Sequence, residues 1–347
     1  MRNFASFALV ASIGFLCSES FAASFPSRPL YPSFFSARSA TTNFRVDKSA
    51  NTSPSDINDA GVVIGTFNHK GVSIGFIRQI NGKVATFKLI DDSGDETVPT
   101  CINNKGVVVG FSFGGSTDRV AFIRGAKGDI KQFSAPSATG TEFDAINNHG
   151  VIAGEIHSSS GTSAFVRAPN GTLTTFSVGK TATGVSGIND SGVVAGGYAV
   201  GWGDNTKAFI RQPDGTIETF HIGSHGTAIS SINKAGDVVG NYMDKYHNSH
   251  PFLRTASGKV TKFDIPNAIT GHAIKITDQG SVVGSYNDSL SNTYGFLVSP
   301  SGNVSTFDLP SAESSWIANV NNNLTVTGGT VSAKTVTRGY LMSVTGS

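Results

Sequence analysis

Cysteine is almost missing from this chain. The 347 residues hold two, Cys17 and Cys101. Cys17 lies in an N-terminal segment expected to be removed, which leaves Cys101 alone and excludes an intrachain disulfide. The fold must therefore rest on burial and sheet pairing. Charge is scarce as well: 14% of residues are Asp, Glu, Lys or Arg, and the formal net charge is +2. Neither that balance nor any basic cluster suits nucleic acid or an anionic membrane, so no such partner is expected. Past the N-terminus no apolar run is long enough to span a bilayer. No Gly-x-Ser-x-Gly elbow and no recognisable Ser/His/Asp context occurs.

The N-terminus reads as an export signal. Arg2 precedes an apolar run from Phe4 to Cys17, followed by Ser20-Phe21-Ala22 with small residues where a signal peptidase reads. Residues 1–22 are the expected signal peptide, and a secreted or periplasmic protein is the expected product. Gly14-Phe15-Leu16 is too bulky for lipid attachment at Cys17. Residues 23–40 place Pro26, Pro29 and Pro32 among Phe25, Tyr31, Phe34 and Phe35 without a period. They read as an irregular leader, with a propeptide or docking arm as the alternative.

Glycine is what the chain has in abundance, 41 residues, and much of it recurs in register. INDSGVVAGGY from Ile188 returns as INDAGVVIGTF from Ile57, INNKGVVVGFS from Ile102 and INNHGVIAGEI from Ile146. Looser copies start at Ile232, Ile276 and Val320. The spacing is about 44 residues, one structural unit repeated. Each unit carries four strand signals. In the third these are Asp144-Ala145-Ile146, Val151–Glu155, Ala164–Arg167 and Thr172–Phe176, with turns at Asn147–Gly150 and Pro169–Gly171. Four strands per unit predict an all-β, seven-bladed β-propeller over residues 41–347.

The seventh unit stops after its third strand, Gly339–Met342. The missing strand stands at the other end, where Thr42–Val46 matches Thr261–Ile265. An N-terminal strand completing the last blade would close the ring and remove both sheet edges. Residues before the repeated isoleucine are mostly small, as a crowded axis requires. Asp56 and Lys275 are the exceptions and could face one another across the channel.

The INxxGxVVG core, a later small residue plus Phe, then Gly and Thr-x-Phe, resembles the HAF repeat of bacterial extracellular proteins, over Thr42 to Met342. The units carry Gly75-Phe76, Ala121-Phe122, Ala164-Phe165, Ala208-Phe209, Pro251-Phe252, Gly295-Phe296 and Gly339-Tyr340 where that family has His-Ala-Phe. The resemblance implies secretion and a β-rich repeat fold, and brings no catalytic residues.

The remaining polar motifs read mainly as structure. The tetrads hold too few acids for a calcium loop. The arginines ending the third strands, Arg78, Arg124, Arg167, Arg211 and Arg254, read as covers for sheet edges rather than an anion ring. His247 and His250 are three apart with Asp244 nearby, a zinc alternative to plain loop residues; His221 and His225 read as exposed. No metal or cofactor is expected.

The loops between second and third strands differ in every unit, and variation on a rigid scaffold marks the functional face. A non-enzymatic, monomeric binding module for a glycan or an extracellular protein is therefore the first expectation. Tyr198, Trp202, Tyr246, Tyr294 and Trp316 would stack or anchor, and Asp204, Asp244 and His247 would give polar contacts. The alternatives are a polysaccharide hydrolase or lyase using acids such as Asp144, Asp204 or Asp244, and a structural surface protein without a ligand.

Overall fold

The computed structural model describes residues 41–47, 51–89, 96–114, 119–179, 182–200, 205–332 and 336–344. The expected signal peptide and leader, and Trp202 and Asp204, lie outside them. The described residues form seven four-stranded antiparallel sheets and no helix. Each sheet is one sequence repeat, blades 1 to 6 starting at Thr52, Glu96, Gly140, Thr183, Thr227 and Thr270. The first strands of successive blades touch one another all the way round, so they line the axis.

Blade 7 is completed from the other end of the chain. Its strands Ser314–Val320, Thr325–Val331 and Thr337–Ser343 are joined by Thr41–Phe44, which pairs Thr41 with Met342 and Phe44 with Gly339. This closing strand ends at Phe44 rather than Val46. Val46 leaves the ladder and packs beside Phe44 on the apolar cluster of Ile57, Val63 and Phe76.

Every first strand carries a bulge just before the repeated isoleucine, as between Phe143 and Ala145. The bulge drives a first-strand carbonyl against the glycine ending the VVG motif. A Cβ on Gly154 would collide with Glu142 O and the Phe165 ring, and one on Gly196 with Gly184 O and Phe209. That glycine is thus set by close backbone approach, not by its φ.

Two side-chain systems stitch blade to blade. The first is the asparagine of the IN tetrad. Its Oδ1 caps its own turn, as Asn58 Oδ1 accepts Val62 N at 3.0 Å. Its Nδ2 meanwhile donates to the tetrad carbonyl of the next blade: Asn58 to Asn103, Asn103 to Asn147, Asn147 to Asn189, Asn189 to Asn233 and Asn233 to Thr277. Asn321 donates to Asn58 O at 3.0 Å and carries the belt across the closure. One residue must accept and donate, which aspartate does not do and asparagine does. Thr277 keeps only the turn bond, from Ser281 N. The next tetrad position makes a second belt, with Asn104 Oδ1, Asn148 Oδ1 and Asn322 Oδ1 accepting Asp59 N, Asn104 N and Asp278 N.

The second system is arginine on phenylalanine. Arg78, Arg124, Arg167, Arg211 and Arg254 lie 4.8 to 5.6 Å over Phe44, Phe87, Phe133, Phe176 and Phe220, each the outer-strand ring of the preceding blade. Four of these phenylalanines meet the core rings of the following blade edge-on, as Phe44 on Phe76 and Phe176 on Phe209, while Phe133 stacks on Phe143. The arginines therefore cover inter-blade aromatic contacts, worth about 0.5–2 kcal/mol each. Arg254 also pairs with the Glu218 carboxylate.

Candidate functional site

The turns joining first to second and third to fourth strands are uniform and belted. The opposite face carries the longer loops and the blade crossings. Four of the six exposed large apolar side chains among the described residues stand there, the other two being Ile80 in the third-to-fourth-strand turn of blade 1 and Val260 just after that of blade 5. Val200, Tyr246 and Leu290 stand in the second-to-third-strand loops of blades 4, 5 and 6, and Ile269 in the crossing from blade 5 to blade 6. Tyr246 is 71% exposed and Leu290 63%.

Two of these loops share one design. Asp244 N donates to Asn248 O and His247 N to Asp244 O, with His247 in the left-handed region at φ 64°. One blade on, Asp288 N donates to Asn292 O and Ser291 N to Asp288 O, with Ser291 at φ 63°. Asp244 Oδ1 accepts Tyr246 N and Asn248 N, and Oδ2 meets His250 Nε2 at 3.1 Å. Partial burial pushes its carboxyl up, but the bonds from Asn248, His250 and Tyr246 outweigh this and hold it at about 2. Asp244 is thus a charged turn-former with its lone pairs engaged. His247 turns away from it and stacks on His225 at 4.1 Å. The zinc alternative fails on this geometry, since His247 and His250 face different partners. Among the described residues no three His, Cys, Asp or Glu side chains meet in a metal-binding arrangement.

The other sequence candidates divide. Tyr294 stacks on Tyr286 at 5.3 Å, as His250 stacks on Tyr242 one blade earlier at 5.4 Å, so a cross-strand ring pair stands below each loop. Tyr198 is half-buried against the apolar cluster between blades 3 and 4. Trp316 lies over Gly329 in a register row running Trp316, Gly329, Gly339, Phe44. Phe44 packs on Phe76, so this face of blade 7 meets blade 1 and Trp316 fills a seam. The structure thus brings Asp244, Tyr246 and His247 into one loop, sets Tyr294 beside the next, and leaves Tyr198 and Trp316 as packing.

An ionisable cluster that the motif search missed lies in blade 3. Glu142 Oε1 accepts from His157 Nε2 at 2.6 Å and pairs with Arg119, while His157 Nδ1 meets Thr162 Oγ1 at 3.0 Å. Burial raises the Glu142 carboxyl, but the bonds from His157 and Arg119 outweigh it and hold it below the usual range. Deeper in, Glu155 Oε1 accepts Val185 N of blade 4 at 3.3 Å. Its carboxyl is pushed up to about 7, first by burial and then by Glu142. Asp144 is half-buried as a residue, but its Oδ2 is fully sequestered and has no hydrogen-bond partner. Burial, then Glu155 and Glu142, push Asp144 well above the carboxylate range. Comparing units would have exposed this cluster: the Glu155 position holds Thr66, Phe111, Gly197, Asn241, Ser285 and Gly329 elsewhere.

At the axis, Asp56 is buried and tied to both neighbouring blades. Its carboxylate accepts Ile57 N, Ile102 N and Asn319 Nδ2. Burial raises its pKa, and the charge of Lys275 opposes the rise. Burial, with Asp56 adding to it, pushes the Cys101 thiol up to about 12, so it stands there as an inert thiol.

With this geometry in view, known structures supply the scaffold's relatives. Virginiamycin B lyase from Staphylococcus aureus superimposes with a TM-score of 0.56 at 13% identity, over 88% of this chain and 99% of that one. A catalytically inactive variant of that lyase with quinupristin gives the same score at 14% identity. Pyrococcus horikoshii acylaminoacyl peptidase gives 0.61 at 13% identity over 85% of this chain, which spans 51% of that protein. The likeness is one of fold. No protein-family profile matches the chain, and no curated protein sequence does.

Proposed function

We propose that this protein is an exported, HAF-like propeller that binds a glycan or an extracellular protein through the loop face of blades 4 to 6, without catalysing a reaction. The observation that carries this reading is a cluster of exposed apolar side chains: Val200, Tyr246, Ile269 and Leu290 fall on one face of three consecutive blades, whereas Ile80 stands alone on the other face of blade 1. The opposite face spends its polar groups on inter-blade belts. Tyr246 offers a ring for stacking on a sugar or filling a partner's pocket, and Lys245 Nζ lies 4.8 Å from it as a movable cover. Export is supported by the signal-like residues 1–22.

The catalytic alternative draws on Asp144, whose carboxyl is pushed up by burial and the neighbouring Glu155 charge. Against it, Glu142 is committed to His157 and Arg119, and Asp144 Oδ2 is sealed from solvent. A glycan array probed with the purified protein, beside an activity screen on the same polysaccharides, separates the readings. Retention of a glycan without turnover is expected. Turnover abolished by Glu155→Gln would overturn the binding reading in favour of a hydrolase or lyase.

A further inference from the structure

The seam between blades 3 and 4 differs from its counterparts in a way that comparison of the blades makes explicit. Each first strand places one residue at its bulge, and in several blades that residue reaches the next blade. Ser55 Oγ donates to Pro99 O at 2.8 Å, and Thr100 Oγ1 to Phe143 O at 2.6 Å. Blade 5 bridges with an amide: Asn241 Oδ1 accepts Ala273 N at 2.8 Å, while its Nδ2 lies 3.4 Å from Ala273 O and 3.3 Å from Ser230 Oγ. Register places Asp144 at the Ser55, Thr100 and Ser230 position, Glu155 at that of Asn241, and Val185 at that of Ala273. Glu155 already accepts Val185 N as Asn241 accepts Ala273 N. The donors that the hydroxyls and the amide supply in blades 1, 2 and 5 have no counterpart here unless the carboxyls carry protons.

We propose that this seam is a proton-operated latch, in which protonated Asp144 and Glu155 supply the donors that bridge blade 3 to the backbone of blade 4, and in which their ionisation loosens the seam. Two ionised carboxylates sharing one sequestered space repel, and neither donates a hydrogen bond. Burial and Glu142 favour retained protons, against the Val185 N–H that Glu155 accepts. Glu142 adds negative charge from the same strand, while Arg119 and His157 offset it and are themselves engaged by Glu142. On blade 4 the facing strand Thr183–Ile188 has no ionisable side chain. Behind it, Tyr198 and Lys207 pair in register, and Arg211 covers Phe176.

The sign follows from the direction of the shifts. Both carboxyls lie above their ordinary values, Glu155 at about 7. Stability from the protonated latch is complete below the unfolded carboxyl range near pH 4 and lost as pH rises through the folded values.

Hydrogen exchange of the Val185 amide in the full exported chain, corrected for the intrinsic pH dependence of exchange, tests the latch directly. Protection should fall at least about tenfold between pH 5 and pH 8, since each proton lost against a shifted group is worth up to tenfold per pH unit. Ala273, at the amide-bridged seam, should not change. In the Asp144→Asn, Glu155→Gln variant, whose amides donate at every pH, the Val185 dependence should vanish and the pH 8 melting temperature should rise toward the acid value. Wild-type Val185 protection independent of pH would overturn the latch, as would a pH dependence that survives in a folded double variant. The exchange of wild type decides the question even if the variant does not fold.

Discussion

The Asn321 amide donates to the Asn58 carbonyl across 263 residues of sequence, at the same 3.0 Å that separates Asn103 Nδ2 from Asn147 O in consecutive blades. The seam that closes the ring is therefore built like the seams along the chain. Closure is a full member of the repeat and not a loose overlap of termini.

The belt predicts an asymmetry between conservative substitutions. Asn103→Asp keeps the acceptor for Val107 N but loses the donor to Asn147 O, and places a charge among buried carbonyls. It should cost about 1–3 kcal/mol, visible as a lower urea midpoint with unchanged slope. Thr277→Asn restores the donor that blade 6 lacks. It should stabilise by about 0.5–1.5 kcal/mol, and a lower midpoint would show that the belt is not the stabilising element.

Closure by Thr41–Phe44 makes its own prediction. Deleting residues through Asp47 exposes the Gly339–Met342 edge and uncovers Phe76 and Arg78. The melting temperature should drop markedly or the protein should aggregate. Phe44→Ala alone should cost about 1.5–3 kcal/mol, the apolar burial of one such ring. Unchanged melting of both variants would contradict the closure.

Gly196→Ala should be far more damaging than its small volume suggests, because the new methyl meets Gly184 O and the Phe209 ring. We expect a loss above about 2 kcal/mol, in the range of strained or overpacked core changes. Gly71→Ala is a control where the added Cβ meets nothing. Its positive φ of 87° leaves a smaller backbone cost, which a thermal melt resolves.

On the acid side, Glu142 opposes the latch. Its folded carboxyl lies below the ordinary value, so its contribution is complete above about pH 4.3 and lost as pH falls through the folded value. Together the two effects place maximum stability near about pH 4–5. Glu142→Gln should flatten the acid limb of a melting-temperature profile between pH 2 and pH 8 and, by removing a charge that helps raise Glu155 and Asp144, also weaken the fall on the alkaline limb.

Much of this architecture was legible in the sequence because it rests on local spacing. Phe44 stands before Ile57 as Phe263 stands before Ile276, and that offset sufficed to place the closing strand. The tetrad asparagines were half legible. Their Oδ1 serves a turn within four residues, whereas their Nδ2 serves a carbonyl about 44 residues away that no local rule reaches. The arginines read correctly as structural covers, though what they cover are phenylalanines of the preceding blade. The lie of Trp316 over Gly329 was not legible, because that contact depends on the register of strands within the last blade. Asp144 was considered singly; that it, Glu142, Glu155, His157 and Arg119 share one place depends on strand pairing.

The most direct test of the proposed function is ligand retention by loop-face variants whose folding is intact. Tyr246→Ala and Leu290→Ala remove exposed side chains and should melt like wild type, while each lowers affinity for an array-identified glycan or surface protein about tenfold or more, as loss of a stacking ring or anchor does. Phe209→Ala, emptying a fully buried site, should instead cost about 3–5 kcal/mol of stability. Wild-type affinity in both loop variants would contradict the account.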